Sequence, residues 1–554
     1  MMTVALTLRF AVGAAVLAMT ACVGAGCSTP SSAPSLSVTP EPAGSSGEGA
    51  GGGAEHATLE APLGLRRPSA PLYTGGAPFL APCTTPVQDL PGDTTAVHVV
   101  TVHADRGPHA SSKAVGVDRR LFGMNIADWR PQDYVPVPAP DFVAWLGALR
   151  PGVLRWPAGH ASQGYVWARG GGVQTGSWEL TPANLDAFVA LNKAVGSEPL
   201  IGINVKRGNP SAAADLVRYL NVDHHDGVHW FYVGNEPDLG DGFASSPSTY
   251  ADQLVAFADA MLAVDPSIGI VGPEMMTGAD ACGFQGSMDW MTPILARAGG
   301  RIAGISWHFY PLDSGQTLPT SSAIVSIPHL FQETAPDING SGMSFVDQIM
   351  PALAATRDAH APGASIWITE MAEDPGPAAG AGISDTQAAA LWVGDALGRY
   401  AEYGPGAVVR FLFKSDGQAY ALLDGDGHPH PTYGAYWLYA RYFGDRFVDS
   451  ASDALTDVAV HAALRSDGAL TVALVNKTTS PQHVRLDVSG FCTQSASELT
   501  HSGGGALTSQ TFTIEGQTLS SANVGTGIAA TPLAAAHLFD TVVPAASMRL
   551  LVYR

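Results

Sequence analysis

Short, nearly continuous hydrophobic runs recur through the middle of the chain, from about residue 120 to residue 440. They are Leu121–Ile126, Gly152–Trp156, Leu200–Val205, Trp230–Gly234, Ile268–Gly272, Ile302–Tyr310, Ile366–Glu370 and Val408–Phe413. Runs of this kind are typical of parallel strands that are covered on both faces, because neither face meets water. The pattern therefore predicts eight buried parallel strands.

Helix signals lie between these runs. Thr181-Pro182 is a helix start followed by a stop at Gly196, and Ser384 with Gln387 has the spacing of a capping box. Eight alternating strand–helix units over about 320 residues predict an α/β protein with a (β/α)8 TIM barrel. A doubly wound sheet is the alternative, but eight ordered units favour closure.

The pattern changes after about residue 441. Segments such as Val458–Leu464 and Leu470–Asn476 alternate and are separated by turn residues, which predicts a C-terminal antiparallel β-sandwich. Val97–His103 is also strand-like and is expected to join that sandwich. The predicted domains are a lipoprotein-type signal peptide (1–27), a flexible linker and N-terminal extension rich in Ser, Pro and Gly (28–93), a sandwich strand (94–120), a catalytic barrel (121–440) and a sandwich (441–554).

The N-terminus predicts export. Arg9 precedes a short hydrophobic run, and small residues then lead to Cys22 and to Cys27. Such a run is too short to span a bilayer and is typical of a secretory signal. Small residues before a Cys resemble a bacterial lipobox, so we expect a secreted cell-envelope lipoprotein, lipidated at Cys22 or Cys27 and attached to the membrane only through that lipid. A plain signal peptide is the alternative.

Composition excludes some partners. The chain of 554 residues carries 28 Lys and Arg against 49 Asp and Glu, and its net charge is −21. The sequence has no cluster of basic residues that would bind a nucleic-acid backbone, so no nucleic-acid partner is expected. The five cysteines lack metal-ligand spacing, and no phosphate-binding glycine loop follows a strand. We therefore expect no metal and no cofactor. A Cys83–Cys492 disulfide is conceivable, and the oligomeric state is open.

Polar motifs end several predicted strands. They are Phe122-Gly123-Met124-Asn125, Leu154-Arg155-Trp156-Pro157-Ala158-Gly159, Gly234-Asn235-Glu236-Pro237, Gly272-Pro273-Glu274, Trp307-His308-Phe309-Tyr310 and Trp367-Ile368-Thr369-Glu370. Active residues of such barrels lie at the C-terminal ends of the strands. Glu236 and Glu370 then face one another across the barrel mouth, as hydrolysis of a glycosidic bond by an acid and a nucleophile requires.

These motifs, in this order, resemble clan A of the glycoside hydrolases, in particular families 39, 79 and 51, over about residues 95 to 554. The resemblance implies that Glu236 is the acid/base and Glu370 the nucleophile. It implies substrate-site roles for Asn235 at the sugar 2-hydroxyl, Arg155 and Tyr310 beside the nucleophile, His308 at the sugar and Asn125 on the floor of the site.

Other residues at the barrel mouth carry more than one interpretation. Clan members often have a Trp platform on the eighth strand, where this chain has Arg410-Phe411-Leu412-Phe413-Lys414; Lys414 either binds a uronic acid carboxylate or points into solvent. Trp307 is a candidate sugar platform, as are Trp129, Trp156, Trp167 and Trp178, although a tryptophan of this kind is more often a core residue than a platform. Glu274 is a rival carboxylate that we rank below Glu236 and Glu370.

The sequence thus predicts a retaining glycosidase that acts on a β-linked carbohydrate, with β-glucuronides, β-xylosides and α-L-arabinofuranosides as candidate substrates. A non-catalytic carbohydrate-binding lipoprotein and a transglycosylase are the alternatives, since both need the same fold and the same polar groups. An esterase is disfavoured because no Gly-x-Ser-x-Gly elbow follows a strand.

Overall fold

The structure is a computed structural model that describes residues 98–109, 115–170, 173–174, 181–239, 244–277, 281–312, 325–334, 344–374, 382–488 and 490–554. The predicted signal peptide, linker, Cys22, Cys27 and Cys83 lie outside these residues. Cys492 is disulfide-bonded. Within the described part of the chain, every helix is too short or too polar to cross a membrane.

Eight parallel strands close into a barrel in chain order. They are Gly123–Asn125, Val153–Trp156, Glu198–Ile203, Trp230–Val233, Gly269–Thr277, Ile302–Phe309, Ser365–Met371 and Ala407–Arg410. The eighth strand pairs with the first, through Val409 opposite Gly123. The predicted (β/α)8 barrel is confirmed, and the doubly wound alternative is wrong because the sheet has no free edge.

Helices follow every strand and cover the barrel. They are Pro140–Ala148, Pro182–Val195, Pro210–Val217, Pro247–Leu262, Ala281–Ala298, Ile327–Gln332 with Phe345–His360, Gln387–Glu402 and Pro431–Tyr442. The predicted start at Thr181 is confirmed, since its side chain accepts a hydrogen bond from the Asn184 amide. Gly196 ends that helix with φ +72°, a left-handed conformation that glycine adopts without strain.

The predicted capping box at Ser384 is wrong. The helix begins at Gln387, with Thr386 as its N-cap residue. The Gln387 side chain does not turn back toward the helix start; its Nε2 donates to the Ala546 carbonyl oxygen at 3.0 Å. A contact with the C-terminal domain therefore replaces the local cap.

The C-terminal domain is a mostly antiparallel sheet of 11 strands that folds over its own hydrophobic core. Its strands are His98–His103, Val115–Gly116, Arg446–Ser452, Val458–Leu464, Leu470–Asn476, Gln482–Asp487, Ala496–Ser502, Thr513–Ile514, Thr531–Leu533, Leu538–Val543 and Ser547–Tyr553. Arg446–Ser452 links the two layers, because its first half pairs with Val458–Leu464 and its second half with His98–His103. The predicted sandwich is thereby confirmed.

The N-terminal strand His98–His103 lies inside this sheet. It pairs antiparallel with Arg446–Ser452 on one side and parallel with Gln482–Asp487 on the other. The chain therefore passes through the sandwich before it enters the barrel.

Buried charges join the barrel to the sandwich in what we call the interdomain charge cluster, which comprises Asp395, Arg399, Glu402, His461 and Lys477. His461 Nε2 lies 2.9 Å from Asp395 Oδ1, and its Nδ1 lies 2.9 Å from Glu402 Oε1. Lys477 Nζ lies 2.8 Å from Asp395 Oδ2. The His461 ring packs on Gly398, where a Cβ atom would lie 2.1 Å from the ring. A glycine in the helix is thus required for this contact.

Candidate active site

The C-terminal ends of the barrel strands bring a set of polar side chains together. We call five of them the active-site charge cluster: Arg155, Glu236, Glu274, His308 and Glu370. All five are buried, and Arg155, Glu274 and His308 have no exposed surface. They come from the second, fourth, fifth, sixth and seventh strands or the residues just after them. The predicted acid/base and nucleophile therefore belong to one hydrogen-bonded group.

Both carboxylate oxygens of Glu370 accept hydrogen bonds from neighbouring side chains. Arg155 Nη1 donates to Oε1 at 2.6 Å, and the Tyr310 hydroxyl donates to Oε2 at 2.6 Å. Charge-assisted bonds of this length fix the orientation of the carboxylate. Burial and the neighbouring carboxylates Glu370 and Glu236 raise the pKa of Tyr310 well above its usual value, so the phenol keeps its proton and remains a donor.

Arg155 connects this carboxylate to the rest of the site. Its Nη2 donates to Glu274 Oε2 and to Asn235 Oδ1, both at 2.7 Å. Its Nη1 also donates to Asn125 Oδ1 at 2.8 Å. Asn125 is itself held by the carbonyl oxygens of the seventh and eighth strands, which its Nδ2 contacts. Asn125 thus orients Arg155, and Arg155 in turn orients the side chains of Glu370, Glu274 and Asn235.

Glu236 lies between two imidazoles. His308 Nδ1 is 2.8 Å from Glu236 Oε1, and His160 Nε2 is 3.2 Å from Oε2. Burial alone would raise the pKa of Glu236, but the hydrogen bonds from His160 and His308 outweigh burial and hold that pKa well below the ordinary value. These contacts therefore favour the ionised form of Glu236.

His308 is surrounded by carboxylates. Its Nε2 lies 3.3 Å from Glu274 Oε2, and its Nδ1 also lies 3.6 Å from Glu370 Oε2. Burial would lower the pKa of His308, but Glu370, Glu236 and Glu274 raise it to about 10. The ring consequently carries a proton on both nitrogens at neutral pH.

The backbone at Glu236 and at Glu274 adopts an uncommon conformation. Glu236 has φ +48° and Glu274 has φ +59°, in the left-handed region that bulky side chains rarely adopt. The Glu236 amide donates to the Glu274 carbonyl oxygen at 2.9 Å. Residues held in this region tend to occur at functional sites, because the surrounding structure has to offset the strain.

One oxygen of Glu236 and one of Glu370 lie within 4.8 Å of each other and of a His308 nitrogen. Three such groups have the spacing of a metal site. However, doubly protonated His308 has no lone pair to give a metal ion, and Tyr310 and Arg155 already occupy the oxygens of Glu370. The chemistry of these donors suits proton transfer and nucleophilic attack.

Two predicted site residues lie elsewhere. Trp307 points away from the barrel interior and packs on Tyr400 of a covering helix, with ring centroids 6.2 Å apart. Its assignment as a sugar contact is corrected by strand alternation, which turns His308 inward and Trp307 outward. Lys414 neither reaches the carboxylates nor points freely into solvent; its Nζ forms an ion pair with Asp133 at 3.0 Å.

The sequence reasoning missed or undervalued several residues. Glu274 is a full member of the cluster, and its place at a strand end was the signal for it. His160 follows the motif that contains Arg155, and no spacing rule connects it to Glu236. Phe411 lies directly after the eighth strand and against Tyr310, with ring centroids 6.4 Å apart.

An apolar rim borders the nucleophile. Phe411 and Tyr420 pack at 5.6 Å, and half-buried Trp129 packs against the same hydrophobic group. The Trp129 indole N–H donates to Ser415 Oγ at 3.1 Å, which fixes the plane of the ring. Aromatic faces next to a carboxylate pair are the usual surroundings of a bound sugar ring.

The same fold occurs in solved structures of glycoside hydrolases. Among solved structures, the α-L-arabinofuranosidase from Thermotoga maritima shares this fold with a TM-score of 0.61 at 15% identity, and the match covers 82% of this chain and 99% of that one. The GH51 arabinofuranosidase from Xanthomonas axonopodis pv. citri follows with a TM-score of 0.60 at 18% identity over 82% and 99%.

A glucanase-xylanase, CelM2 from a metagenome library, has a TM-score of 0.58 at 18% identity over the same shares of the two chains. The chain therefore shares its overall fold with these enzymes, as the predicted resemblance implied. No protein-family model matches the sequence, and neither does any curated protein.

Proposed function

We propose that this protein is a retaining glycoside hydrolase with Glu370 as nucleophile and Glu236 as acid/base. The observation that carries the proposal is the distance between the two carboxylates, whose nearest described oxygens lie within 4.8 Å. Retaining glycosidases place these groups about 5–5.5 Å apart, whereas inverting enzymes need about 6.5–9.5 Å to admit a water molecule.

In the first step, ionised Glu370 attacks the anomeric carbon while Glu236 delivers a proton to the departing glycosidic oxygen. The bond from the sugar to that oxygen breaks, and its electron pair stays on the oxygen. Arg155 and Tyr310 hold Glu370 in a single orientation for attack. The product is a glycosyl ester of Glu370.

In the second step, Glu236 removes a proton from water, and the resulting hydroxide attacks the same carbon. The ester bond breaks, and Glu370 leaves as a carboxylate. Two inversions give net retention. Among the described residues, Asn235 Nδ2 is buried without a hydrogen-bond partner, so it is available to a sugar hydroxyl at the 2-position.

The substrate is proposed as a class of glycan and not as a single sugar. The solved structures of the same fold are named as arabinofuranosidases, a glucanase-xylanase and a xyloglucanase, which favours a neutral plant-type glycan built from arabinose, xylose or glucose units. The ion pair of Lys414 with Asp133 removes the reason to prefer a uronic acid. The apolar rim at Phe411 and Trp129 suits an uncharged sugar face.

Location is proposed from the sequence alone. The signal-like N-terminus and the Cys22 or Cys27 lipidation motif support an exported, lipid-tethered enzyme that meets its substrate outside the cytoplasm. Mass spectrometry of the membrane fraction would detect a diacylglyceryl peptide at one of these cysteines.

The function is tested with nitrophenyl β-glucuronide, β-xyloside, β-glucoside, β-galactoside and α-L-arabinofuranoside, followed by xylan, xyloglucan and arabinan. We expect turnover of at least one, with the first-formed sugar retaining its anomeric configuration by NMR. Glu370→Gln should reduce kcat at least about 1,000-fold. Inverted product would refute the retaining mechanism.

The matched control is Glu198→Gln. Glu198 starts the third barrel strand at the opposite end of the barrel and accepts a hydrogen bond from the Trp230 indole. Conservation of kcat in this variant and its loss in Glu370→Gln would locate the chemistry at the C-terminal face. Saturable oligosaccharide binding with no turnover would instead favour the carbohydrate-binding alternative, and transfer to a sugar acceptor would favour the transglycosylase.

A further inference from the structure

The surroundings of Glu236 raise a problem of proton supply. An acid catalyst has to hold a proton before the glycosidic bond breaks, yet Glu236 is held ionised by its two imidazole neighbours. His308 cannot easily replace that proton, because its ring is fully buried and its two nitrogens face the carboxylates on either side of it. The proton has to reach Glu236 from another group.

His160 is placed to supply it. Its Nε2 lies 3.2 Å from Glu236 Oε2, the oxygen that His308 does not contact. The side chain of His160 is 56% exposed, whereas that of Glu236 is only 7% exposed. His160 is thus the described residue that touches both the candidate acid and the solvent.

The backbone fixes this contact. His160 lies in the 3-10 turn Gly159–Gln163, where the Ser162 hydroxyl donates to the Gly159 carbonyl oxygen at 2.8 Å. The Gln163 side chain donates to the Asn235 carbonyl oxygen, directly before Glu236 in the chain. Gly159 has φ +54°, and a Cβ atom there would lie 3.2 Å from the Phe411 ring. The turn is therefore tied to the acid and cannot be moved without disturbing the site.

We propose that His160 is the proton relay of the acid/base, a positioning residue that passes a proton between solvent and Glu236. This inference rests on the proposed glycosidase function. When the leaving oxygen approaches Oε2, the proton moves from His160 Nε2 to Glu236 and on to that oxygen, while Glu370 forms its bond to the sugar. In the second step the proton taken from water returns from Glu236 to His160, so protons balance over one turnover.

Other described titratable groups surround this pair. His308 contacts Glu236, and Glu274, Glu370 and Arg155 lie on neighbouring strands in contact with His308 or with one another. Asp238 follows Glu236 by two residues and interacts with it electrostatically. His308 remains in place when His160 is replaced. In a His160→Asn variant the proton must sit on Glu236 itself, where His308 disfavours it. The alkaline limb of activity should then move to lower pH.

The kinetic test compares kcat/KM against pH for two substrates of the same sugar, one with a dinitrophenyl leaving group and one with an unactivated alkyl leaving group. We expect His160→Asn to shift the alkaline limb of the pH profile downward by about one pH unit or more. For the alkyl glycoside alone, kcat/KM at the pH optimum should also fall about 10- to 100-fold, because general acid catalysis contributes at least about that much to the rate. A dinitrophenolate leaves without such help, so its hydrolysis should change little. Equal loss for both substrates, or no shift, would overturn the relay.

A second measurement does not depend on turnover. Diethyl pyrocarbonate modifies neutral imidazole, and mass spectrometry of the full chain reports the rate at His160 as pH is varied. The midpoint for His160 should lie higher in the wild type than in Glu236→Gln, because the carboxylate favours the charged ring. Identical midpoints in the wild type and in Glu236→Gln would show that His160 and Glu236 do not interact, and the relay would be refuted.

The control variant is His224→Asn. His224 is also partly exposed and lies 3.9 Å from a carboxylate, that of Asp186, but it precedes the fourth strand at the other end of the barrel. It should leave both pH profiles unchanged. If no glycoside is hydrolysed by the wild type, the proposed function fails, while the modification midpoints still decide whether His160 and Glu236 share a proton.

Discussion

The molecule contains two buried charge clusters built around the same arrangement, an imidazole between two carboxylates. In the active-site charge cluster, His308 lies between Glu236 and Glu274. In the interdomain charge cluster, His461 lies between Asp395 and Glu402. Both histidines have raised pKa values, since nearby carboxylates outweigh burial. The residue chemistry alone does not distinguish a site from a structural contact.

The clusters differ in how completely their acceptors are used. Every carboxylate oxygen of Asp395 and Glu402 lies within 3.5 Å of a described histidine or lysine nitrogen. In the active-site cluster, by contrast, the acceptor Glu274 Oε1 is buried without a partner among the described residues. Buried polar groups are rarely left unpaired, so an unused carboxylate oxygen beside the candidate catalytic pair indicates where a ligand is expected. The interdomain cluster instead leaves two buried donors without a hydrogen-bond partner among the described residues, Arg399 Nε and Nη2. The two clusters therefore differ in their unused acceptors and not in the burial of charge.

The largest expected effect comes from Arg155→Met. This change removes the cation shared by Glu274 and Glu370, so the nucleophile loses the charge-assisted hydrogen bond that orients it for attack. We expect kcat to fall about 100- to 1,000-fold and the free energy of unfolding to fall by about 3–5 kcal/mol. Steady-state kinetics and urea unfolding measure the two losses, and retention of kcat would contradict the assignment of Glu370.

Lys477→Met makes the matching change in the interdomain charge cluster. It strips fully buried Asp395 of its ammonium partner and should lower the free energy of unfolding by a similar amount, about 3–5 kcal/mol. Turnover per folded molecule should stay at the wild-type value. A drop in kcat at temperatures where the variant is folded would show that the two clusters are coupled, and the comparison above would break down.

His461→Gln tests the interdomain cluster by its pH dependence. The pKa of His461 is raised in the folded protein, so its contribution to stability is complete below the unfolded value of about 6.5 and is lost as pH rises through the folded pKa. The variant should therefore be less stable by about 1–3 kcal/mol at pH 6, with a gap that closes at alkaline pH. Thermal unfolding midpoints of the wild type and the variant, measured across pH, give this difference in stability. A difference that grows as pH rises would show that folding lowers the pKa of His461 and would contradict the prediction.

Lys414→Gln should have the smallest effect. Its partner Asp133 is also bound by Arg130 at 2.7 Å, so the carboxylate keeps a cation after the change. We expect at most about 1 kcal/mol of lost stability and the same relative kcat/KM for acidic and neutral glycosides. A selective loss on a glucuronide would restore the uronic acid interpretation.

Much of the barrel could be predicted because parallel strands that are buried on both faces leave long hydrophobic runs. The prediction stopped short where polar residues interrupt a strand. The fifth strand, for example, continues through Pro273 and Glu274 to Thr277, well beyond the predicted end at Gly272. The polar residues that interrupt the hydrophobic runs, such as Glu274, are the ones that form the site.

The candidate site could be predicted only in part, because its contacts are long-range. Arg155 and Glu370 are 215 positions apart, and only motif order along the strands suggested that they meet. Trp307 was misplaced by one position in the inside–outside alternation of its strand, which moves a side chain to the opposite face. The His160 contact depends on a turn conformation that no hydrophobic pattern encodes.

The N-terminal strand His98–His103 has a consequence for the order in which the protein is made. Its neighbours in the sheet are synthesised about 350 residues later, which at about 5–20 residues per second is a delay of some 20–70 seconds. The strand that emerges early is thus among the last to find its place. Until it does, the edges of Arg446–Ser452 and Gln482–Asp487 that it covers stay open to other chains. Chaperone demand during biogenesis should concentrate on the sandwich, and a chain lacking residues up to 103 should aggregate although its barrel is complete.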